Sequence, residues 1–354
     1  MNDRSRTQCR GGCQFNRSIL DHGSFERIIS IENLFLAWHE FKKGKRSKQD
    51  VLVFEFNLED NLFSLHEELK NRIYQHSKYT SFYITDPKVR HIHKATVGDR
   101  VLHHAVFRIL YPIFDPSFIH DSYSCRNGKG THRAVKRLQR FVLKVSKNNH
   151  QNIWALKCDI SKFFDSIDQG ILLSLLEKKI KDTGTVWLIK NILNSFEKEE
   201  GKGIPLGNVT SQLFANIYLN ELDQFVKHQL KVTQYLRYCD DFVFLADNRE
   251  YLEKLVPMLQ LFLAVKLKLI LHPKKIIFRK YSAGIDFLGY VIRPHHIVLR
   301  TKTKRRMFKK IKRKIKNKEP LSQSIPSYLG MLQNADSEKL KSELLKLGRL
   351  SKSG

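Results

Sequence analysis

Tyr238-Cys239-Asp240-Asp241 lies between two short apolar runs, Gln234 to Arg237 and Phe242 to Ala246. Both runs carry the aromatic and β-branched side chains that favour strands, so the segment reads as a hairpin with two carboxylates at its tip. Adjacent carboxylates repel, and one pKa tends to rise. A divalent cation removes that cost, because Mg²⁺ takes hard oxygen ligands and is commonly held by one or two carboxylates plus substrate phosphates. Asp is also frequent in plain polar turns. The tip alone reads equally well as a turn or as part of a metal site.

Upstream, Gln151 to Ile160 alternates as a strand. Trp154, Leu156, Cys158 and Ile160 face one way; Ile153, Ala155, Lys157 and Asp159 face the other. Asp159 therefore ends an apolar strand, pointing away from its more hydrophobic face. A carboxylate there needs a partner or a metal; otherwise it is an exposed strand end that caps the next turn. Phe163-Phe164 follow, and an aromatic pair is usually core. Asp168 reads as the N-cap of a helix from Gln169 to Lys181. Gly201 to Gly207 is a Gly/Pro-containing loop opening a helix from Thr210 to Leu230, with Leu213, Ile217, Leu222 and Phe225 apolar. Ser211 and Gln212 sit in its first turn, where free backbone N–H groups favour an anion.

Downstream, the pattern predicts a helix over 249–263, a strand over Val265 to Leu271, and a turn at His272-Pro273-Lys274-Lys275. Phe287-Leu288-Gly289-Tyr290 opens a further hairpin to Val298. From Arg300 to Lys318, twelve of nineteen residues are Lys or Arg, over an apolar stripe of Phe308, Ile311 and Ile315. That is an amphipathic helix docked by one face, with its cations outward. Leu321 to Leu350 also reads as helical.

Toward the N-terminus, helices are predicted over Ile28 to Lys42 and Glu59 to Tyr74, the second with Leu62, Leu65, Leu69 and Ile73 on one stripe. Lys42 to Lys48 is a basic loop. Tyr79 to Thr85 is strand-like, Asp86-Pro87-Lys88-Val89-Arg90 punctuates the chain, and a helix runs from Gly98 to Leu110, closed by Pro112. The loop Ser124 to Thr131 contains Arg126 and Gly128-Lys129-Gly130 and leads into a helix over His132 to Lys147. Such a loop suits phosphate, though Gly-Lys-Gly is commonplace in surface turns and the turn is the simpler reading.

With 354 residues, 42% hydrophobic and 28% charged, the chain can bury a large core. Lys and Arg outnumber Asp and Glu, 63 to 35, for a formal charge of +28, which implies a polyanionic partner. The scarcity of apolar residues in the basic helix favours nucleic acid over an anionic membrane. No apolar run of membrane-spanning length and no signal-peptide core is present. Five scattered cysteines fit a reducing cytosol. Cys9 and Cys13 could join His22 at a metal, but a flexible leader is the simpler reading.

Three carboxylates, Asp159, Asp240 and Asp241, thus stand out, with Lys88, Arg90 and Arg126 as cations for a triphosphate. Two metals bridged by such carboxylates activate a 3′-hydroxyl and stabilise departing pyrophosphate. The ordered set Lys157 to Phe164, Gly203 to Gly207, Tyr238 to Asp241 and Phe287 to Tyr290 resembles the palm of reverse transcriptases. The resemblance covers roughly Asn33 to Leu340. It narrows at Leu206-Gly207-Asn208-Val209-Thr210-Ser211-Gln212. Group II intron enzymes and most bacterial relatives carry Gln-Gly, three residues, then Ser-Pro there. The Leu-Gly…Ser-Gln variant is similar to reverse transcriptases of diversity-generating retroelements, as are Pro87 to Arg90 and Ser327-Tyr328-Leu329-Gly330.

The resemblance implies an α+β right-hand polymerase: a flexible leader at 1–27, fingers at 28–150, and a palm at 151–298 with the substrate loop and helix at 201–230. A basic helical thumb and tail occupy 299–354. Only four carboxylates follow residue 300, too few for a separate metal-dependent RNase H, and no appended endonuclease domain is expected. Asp159, Asp240 and Asp241 are implied metal ligands, with Ile160 beside them in the metal set, for two Mg²⁺ ions replaceable by Mn²⁺. Phe164, with Phe163, lies at the deoxynucleoside triphosphate as a gate against a ribose 2′-OH. Arg90 and Lys88 contact the triphosphate, and Leu206, Gly207 and Gln212 shape its site. Lys275, or Lys274 next to it, is the implied general acid. Phe287, Leu288, Gly289 and Tyr290 form the primer grip. Arg126, Lys129, Lys304, Arg305, Lys309, Lys312 and Arg313 hold nucleic acid.

The implied partners are template RNA, the primer and cDNA strands, and a small oligomeric accessory variability determinant. The setting is cytoplasmic, with no membrane. The family copies with errors concentrated at template adenines. An intron-derived or antiphage reverse transcriptase, and a non-catalytic RNA-binding protein on a polymerase fold, are the alternatives.

Overall fold

The computed structural model describes residues 23–85 and 89–350. Cys9, Cys13, His22 and Lys88 therefore lie outside the described residues. Helices α1 (Ser24–Ile29), α2 (Ile31–Phe41), α3 (Gln49–Phe56) and α4 (Leu58–Lys70) precede a hairpin of β1 (Thr80–Ile84) and β2 (Arg90–Lys94), then α5 (Val97–Phe114). Next come α6 (Thr131–Val145), β3 (Trp154–Asp159), α7 (Phe163–Ser166), α8 (Gln169–Glu177), α9 (Thr183–Asn194) and α10 (Val209–Gln224). Strands β4 (Tyr235–Tyr238) and β5 (Asp241–Ala246) flank the acidic turn. They are followed by α11 (Arg249–Leu267), β6 (Ile277–Lys280), β7 (Ile285–Phe287), β8 (Tyr290–Ile292) and β9 (Ile297–Leu299). Helices α12 (Thr301–Lys316), α13 (Ser324–Leu332) and α14 (Glu338–Leu350) close the chain.

Two compact units emerge. One holds the chain up to Phe114 together with Gln169–Ser211; the other holds Asp115–Asp168 and Gln212 onward. Residues 115–150, expected with the fingers, thus cluster with the strands expected in the palm. In the first unit α2 packs on α5, and Leu34, Trp38, Phe41, Leu102, Val106 and Leu110 are buried. The helix predicted over 28–42 is broken at Ser30, which turns extended and caps α2 by accepting from the Asn33 backbone N–H. Phe25 is already buried in α1, so the fold begins inside the expected leader. Pro112 does not close α5; it lies inside the helix, which runs on to Phe114. Ile73 is exposed, because α4 stops at Lys70 before the stripe reaches it. Helix α9 escaped the sequence reading although Asp182 caps it, accepting from the Gly184 N–H at 3.1 Å.

In the second unit a four-stranded antiparallel sheet has the order β4-β5-β3-β6. The strand expected over 265–271 is replaced by the end of α11. Leu252, Leu255, Leu259, Leu263 and Leu267 recur at three- and four-residue steps and are all buried, so the helical period wins until Lys268 turns left-handed. Only Leu271 makes a bridge, to Ile160; the edge strand is β6 instead. A second antiparallel sheet, β7-β8-β9, shares one apolar core with α6, the inner face of β3 and β5, and the C-terminal helices. Helix α12 contributes buried Thr303, Met307 and Ile311, spaced four apart, with Phe308 and Ile315 partly buried.

Candidate active site

The second unit builds the acidic turn on a two-residue loop. Tyr238 pairs with Asp241, leaving Cys239 and Asp240 between the strands. Cys239 has φ +56°, at the first central position of a hairpin turn, where glycine is the usual occupant. Something must hold it there, and Arg237 does so. Its guanidinium donates to the Cys239 carbonyl at 3.1 Å, to Asn216 Oδ1 at 3.3 Å, to Ser122 Oγ at 3.1 Å, and to Asp223 at 2.6–3.0 Å. Arg237 and Asp223 both have 0% of their side chains exposed. The backbone of Arg237 is also clamped, donating to Asp121 O and accepting from the Tyr123 N–H, each at 2.9 Å. Arg237 was read only as the end of an apolar run; a charge inside that run was the available signal.

Asp159 stands directly opposite Asp241 in the β3–β5 ladder. Such a pair points to one face, with Cβ atoms about 4.5–5.5 Å apart. Asp240 is close enough to feel the charge of Asp159: burial first, and that charge second, push its carboxyl up. Burial likewise pushes the Asp241 carboxyl up to about 6, although Lys157 opposes the shift. Two ammonium groups answer this negative charge. Lys157 Nζ lies 3.2 Å from Asp241 Oδ2, and Lys275 Nζ donates to Asp159 Oδ1 at 2.8 Å. Asp241 Oδ1 is buried with no hydrogen-bond partner.

Among the described residues, no three His, Cys, Asp or Glu side chains converge on a metal position as they stand. The donor set nevertheless fits a hard divalent cation. It is all oxygen, it is under-compensated, and it keeps one buried oxygen unpaired. The end of β3 is fixed by its neighbours: the Ile160–Leu271 bridge, and the His272 N–H donating to Asp159 O at 2.8 Å. The Ile160 side chain is buried and apolar, so only its backbone carbonyl could reach a metal. Of the two lysines considered, Lys275 is the one at a carboxylate; Lys274 is exposed.

Phe163 is 3% exposed and packs in the core. Phe164 is half-buried beside it, with ring centroids 5.3 Å apart in an edge-to-face pair. Phe287 and Tyr290 are fully buried, and Tyr290 donates to Met331 O at 3.0 Å; the turn between them exposes only part of Leu288 and Gly289. Arg126 is spent internally, donating to Asp115 Oδ1 at 2.7 Å and to the carbonyls of Ile119 and Ser122, with 7% of its side chain exposed. Lys129 donates to His120 O at 2.8 Å. These two cations shape their loop, and Thr131 at its end donates to the Tyr238 hydroxyl at 3.2 Å. Lys304, Arg305, Lys309, Lys312 and Arg313 are all exposed on α12. Gln212 is exposed in the first turn of α10.

The first unit holds the remaining predicted residues. Arg90 is exposed at the start of β2, and Leu206 and Gly207 are tied to the same strand. The His93 N–H donates to Leu206 O at 3.2 Å. Gly207 has φ +134°, and a Cβ on it would meet His93 O at 3.1 Å.

Residues 80–292, more than half the chain, match the family described as "Reverse transcriptase (RNA-dependent DNA polymerase)". The chain belongs to the reverse transcriptase family. Family membership brings the right-hand polymerase class, and the helices with antiparallel sheets seen above are its α+β content. Among curated relatives, the group II intron-encoded protein LtrA of Lactococcus lactis subsp. cremoris is 27% identical, over 66% of this chain and 50% of that protein. An uncharacterised 91 kDa protein in the cob intron of Schizosaccharomyces pombe is 29% identical, over 59% of this chain and 27% of that protein. This reverse transcriptase chain thus spans at most about half the length of these two relatives. Among solved structures, apo telomerase from Candida tropicalis aligns with a TM-score of 0.48 at 15% identity, over 68% of this chain and 52% of that one, too loosely to carry an argument. Among the described residues no helix is long and apolar enough to cross a membrane.

Proposed function

We propose that this chain copies a template RNA into cDNA, with Asp159, Asp240 and Asp241 holding two Mg²⁺ ions, for which Mn²⁺ can substitute. What carries the reading is the pairing of Asp159 with Asp241 across the β3–β5 ladder, with Asp240 in the adjoining turn. Bound metal would supply Lewis-acid stabilisation of the entering and leaving oxygens. The chain's own groups do the rest. Lys275 gives its proton to the departing pyrophosphate. Arg90 and Lys88 take the triphosphate of the incoming deoxynucleotide, and Leu206, Gly207 and Gln212 shape its site. The turn Phe287 to Tyr290 seats the primer end. The test is primer extension on a defined RNA template with Mg²⁺, followed by sequencing of the product.

The finer reading is a diversity-generating retroelement enzyme, working in the cytoplasm with a small oligomeric accessory variability determinant. The Leu206-Gly207…Ser211-Gln212 variant supports it, and errors concentrated opposite template adenines are the expected result. An enzyme of the group II intron kind is the second reading, favoured by the curated relatives. Errors spread evenly over the four bases point to it.

Phe164 is half-buried, so its exposed edge can abut a sugar. Phe164→Ala is expected to admit ribonucleotides, measured as the ratio of rNTP to dNTP incorporation. An unchanged ratio moves the gate elsewhere. The exposed cations of α12 are assigned to the nucleic-acid backbone. Neutralising Lys304, Arg305, Lys309, Lys312 and Arg313 should flatten the plot of log affinity against log salt by about 0.7–0.9 per lost phosphate contact. An unmoved slope means that the helix faces something else.

A further inference from the structure

We propose that His103 is a positioning residue for nucleotide selection, fixing the loop 203–210 by bonding the side chains of both Asn208 and Thr210. The inference rests on the reading that this loop shapes the nucleotide site. His103 lies on α5 and is 2% exposed. Its Nδ1 is 2.8 Å from Thr210 Oγ1, and its Nε2 is 3.1 Å from Asn208 Nδ2. Burial, with His76 adding to it, pulls the His103 pKa down to about 3, so the ring is neutral. A neutral imidazole offers one donor and one acceptor. With the Asn208 amide donating to Nε2, the ring proton sits on Nδ1 and goes to Thr210. One ring therefore grips both residues at the junction of loop and helix.

The ring is itself held. His76 Nε2 lies 3.1 Å from His103 Nε2, and the Tyr79 hydroxyl is 3.2 Å from His76 and accepts from Asn208 Nδ2 at 3.2 Å. Elsewhere the loop is held through its own carbonyls: Gln169 Nε2 donates to Gly203 O at 3.0 Å, and the His93 N–H to Leu206 O. These buried hydrogen bonds rigidify the segment that they hold. One atom is left out: Asn208 Oδ1 is buried without a partner. The Asn208 side chain is thus held through Nδ2, by His103 and Tyr79. Placement errors of a fraction of an ångström at a substrate-shaping loop appear in nucleotide KM and in discrimination before they appear in folding.

The deciding variant is Thr210→Val, which keeps the shape and removes one bond to the ring; His103→Phe removes both, and His103→Gln is the conservative replacement. Extension of a defined primer on RNA is measured against dNTP concentration, with the misincorporation spectrum and hydrogen exchange of amides 203–209. Thr210→Val should raise the dNTP KM about fivefold, the weight of one hydrogen bond, and speed exchange of the loop amides. Its Mg²⁺ midpoint and primer–template affinity should match the wild type. His103→Phe should shift further, and His103→Gln should recover part of the loss. A wild type that extends RNA, paired with a Thr210→Val of unchanged KM and spectrum, overturns the proposal alone. A wild type that extends no primer overturns the reading beneath it as well.

Discussion

Asp240→Asn abolishes Mg²⁺-dependent primer extension on RNA, by at least about a thousandfold, because a lost metal ion removes several kcal/mol of transition-state stabilisation. The fold survives, since Asn fills the same space in a turn held by Arg237 through the Cys239 carbonyl. Asp241→Asn loses activity to the same degree and gains stability in the absence of metal. The cause is visible in the carboxyl, which burial lifts from 3.8 to about 6 even with Lys157 beside it. A raised acid favours the folded state most when protonated. That contribution is complete below pH 3.8 and is lost as pH rises through 6. At pH 7 the charged wild-type group therefore costs on the order of 2–3 kcal/mol, before solvent screening reduces it. Thermal melts without metal should put Asp241→Asn above the wild type by several degrees at pH 7, with the gap closing toward pH 4. A variant that melts lower at pH 7, or one that keeps full extension activity, would sink the metal-ligand assignment.

Much of the second unit was legible because a strand's two-residue period is unforgiving. Asp159 could be placed at the end of β3 from alternation alone, and the pairing with Asp241 follows from that register. The basic face of α12 was equally legible, since charge and apolar spacing agree along its whole length. What failed were the places where two periods compete. Val265 to Leu271 carries strand-forming residues, yet its first three residues belong to α11, whose leucine ladder buries more. Arg126 looked available because loops rich in Gly and cations are usually solvated. Nothing in the sequence reveals that Asp115 and two carbonyls surround it. His103 and Gln169 were invisible for a related reason. A buried polar side chain is defined by its partners, and theirs lie up to 107 residues away.

Arg237→Met costs about 3–5 kcal/mol of stability, the usual effect of stranding one member of a buried ion pair. Asp223 would keep a charge in a site with none of its surface exposed, and among the described residues no other cation is bonded to it. Urea or thermal unfolding should show a loss of roughly ten degrees or failure to accumulate. The double variant Arg237→Met/Asp223→Leu separates the two things that the pair does. Replacing both charges by apolar groups of similar volume is often close to neutral, so most of the stability should return. The hydrogen bond to the Cys239 carbonyl does not return with it. Cys239 then keeps its left-handed backbone with less to hold it. Strain at such a residue persists only where its surroundings over-determine it, so the turn should relax and carry Asp240 out of line with Asp159. Extension should fall about tenfold or more, with a higher Mg²⁺ midpoint, in a protein that melts near the wild type. Recovered stability with wild-type activity and midpoint would mean that the strands hold the turn without Arg237. A single variant as stable as the wild type would mean that Asp223 is not charged in the fold, and would remove the reason for the pair.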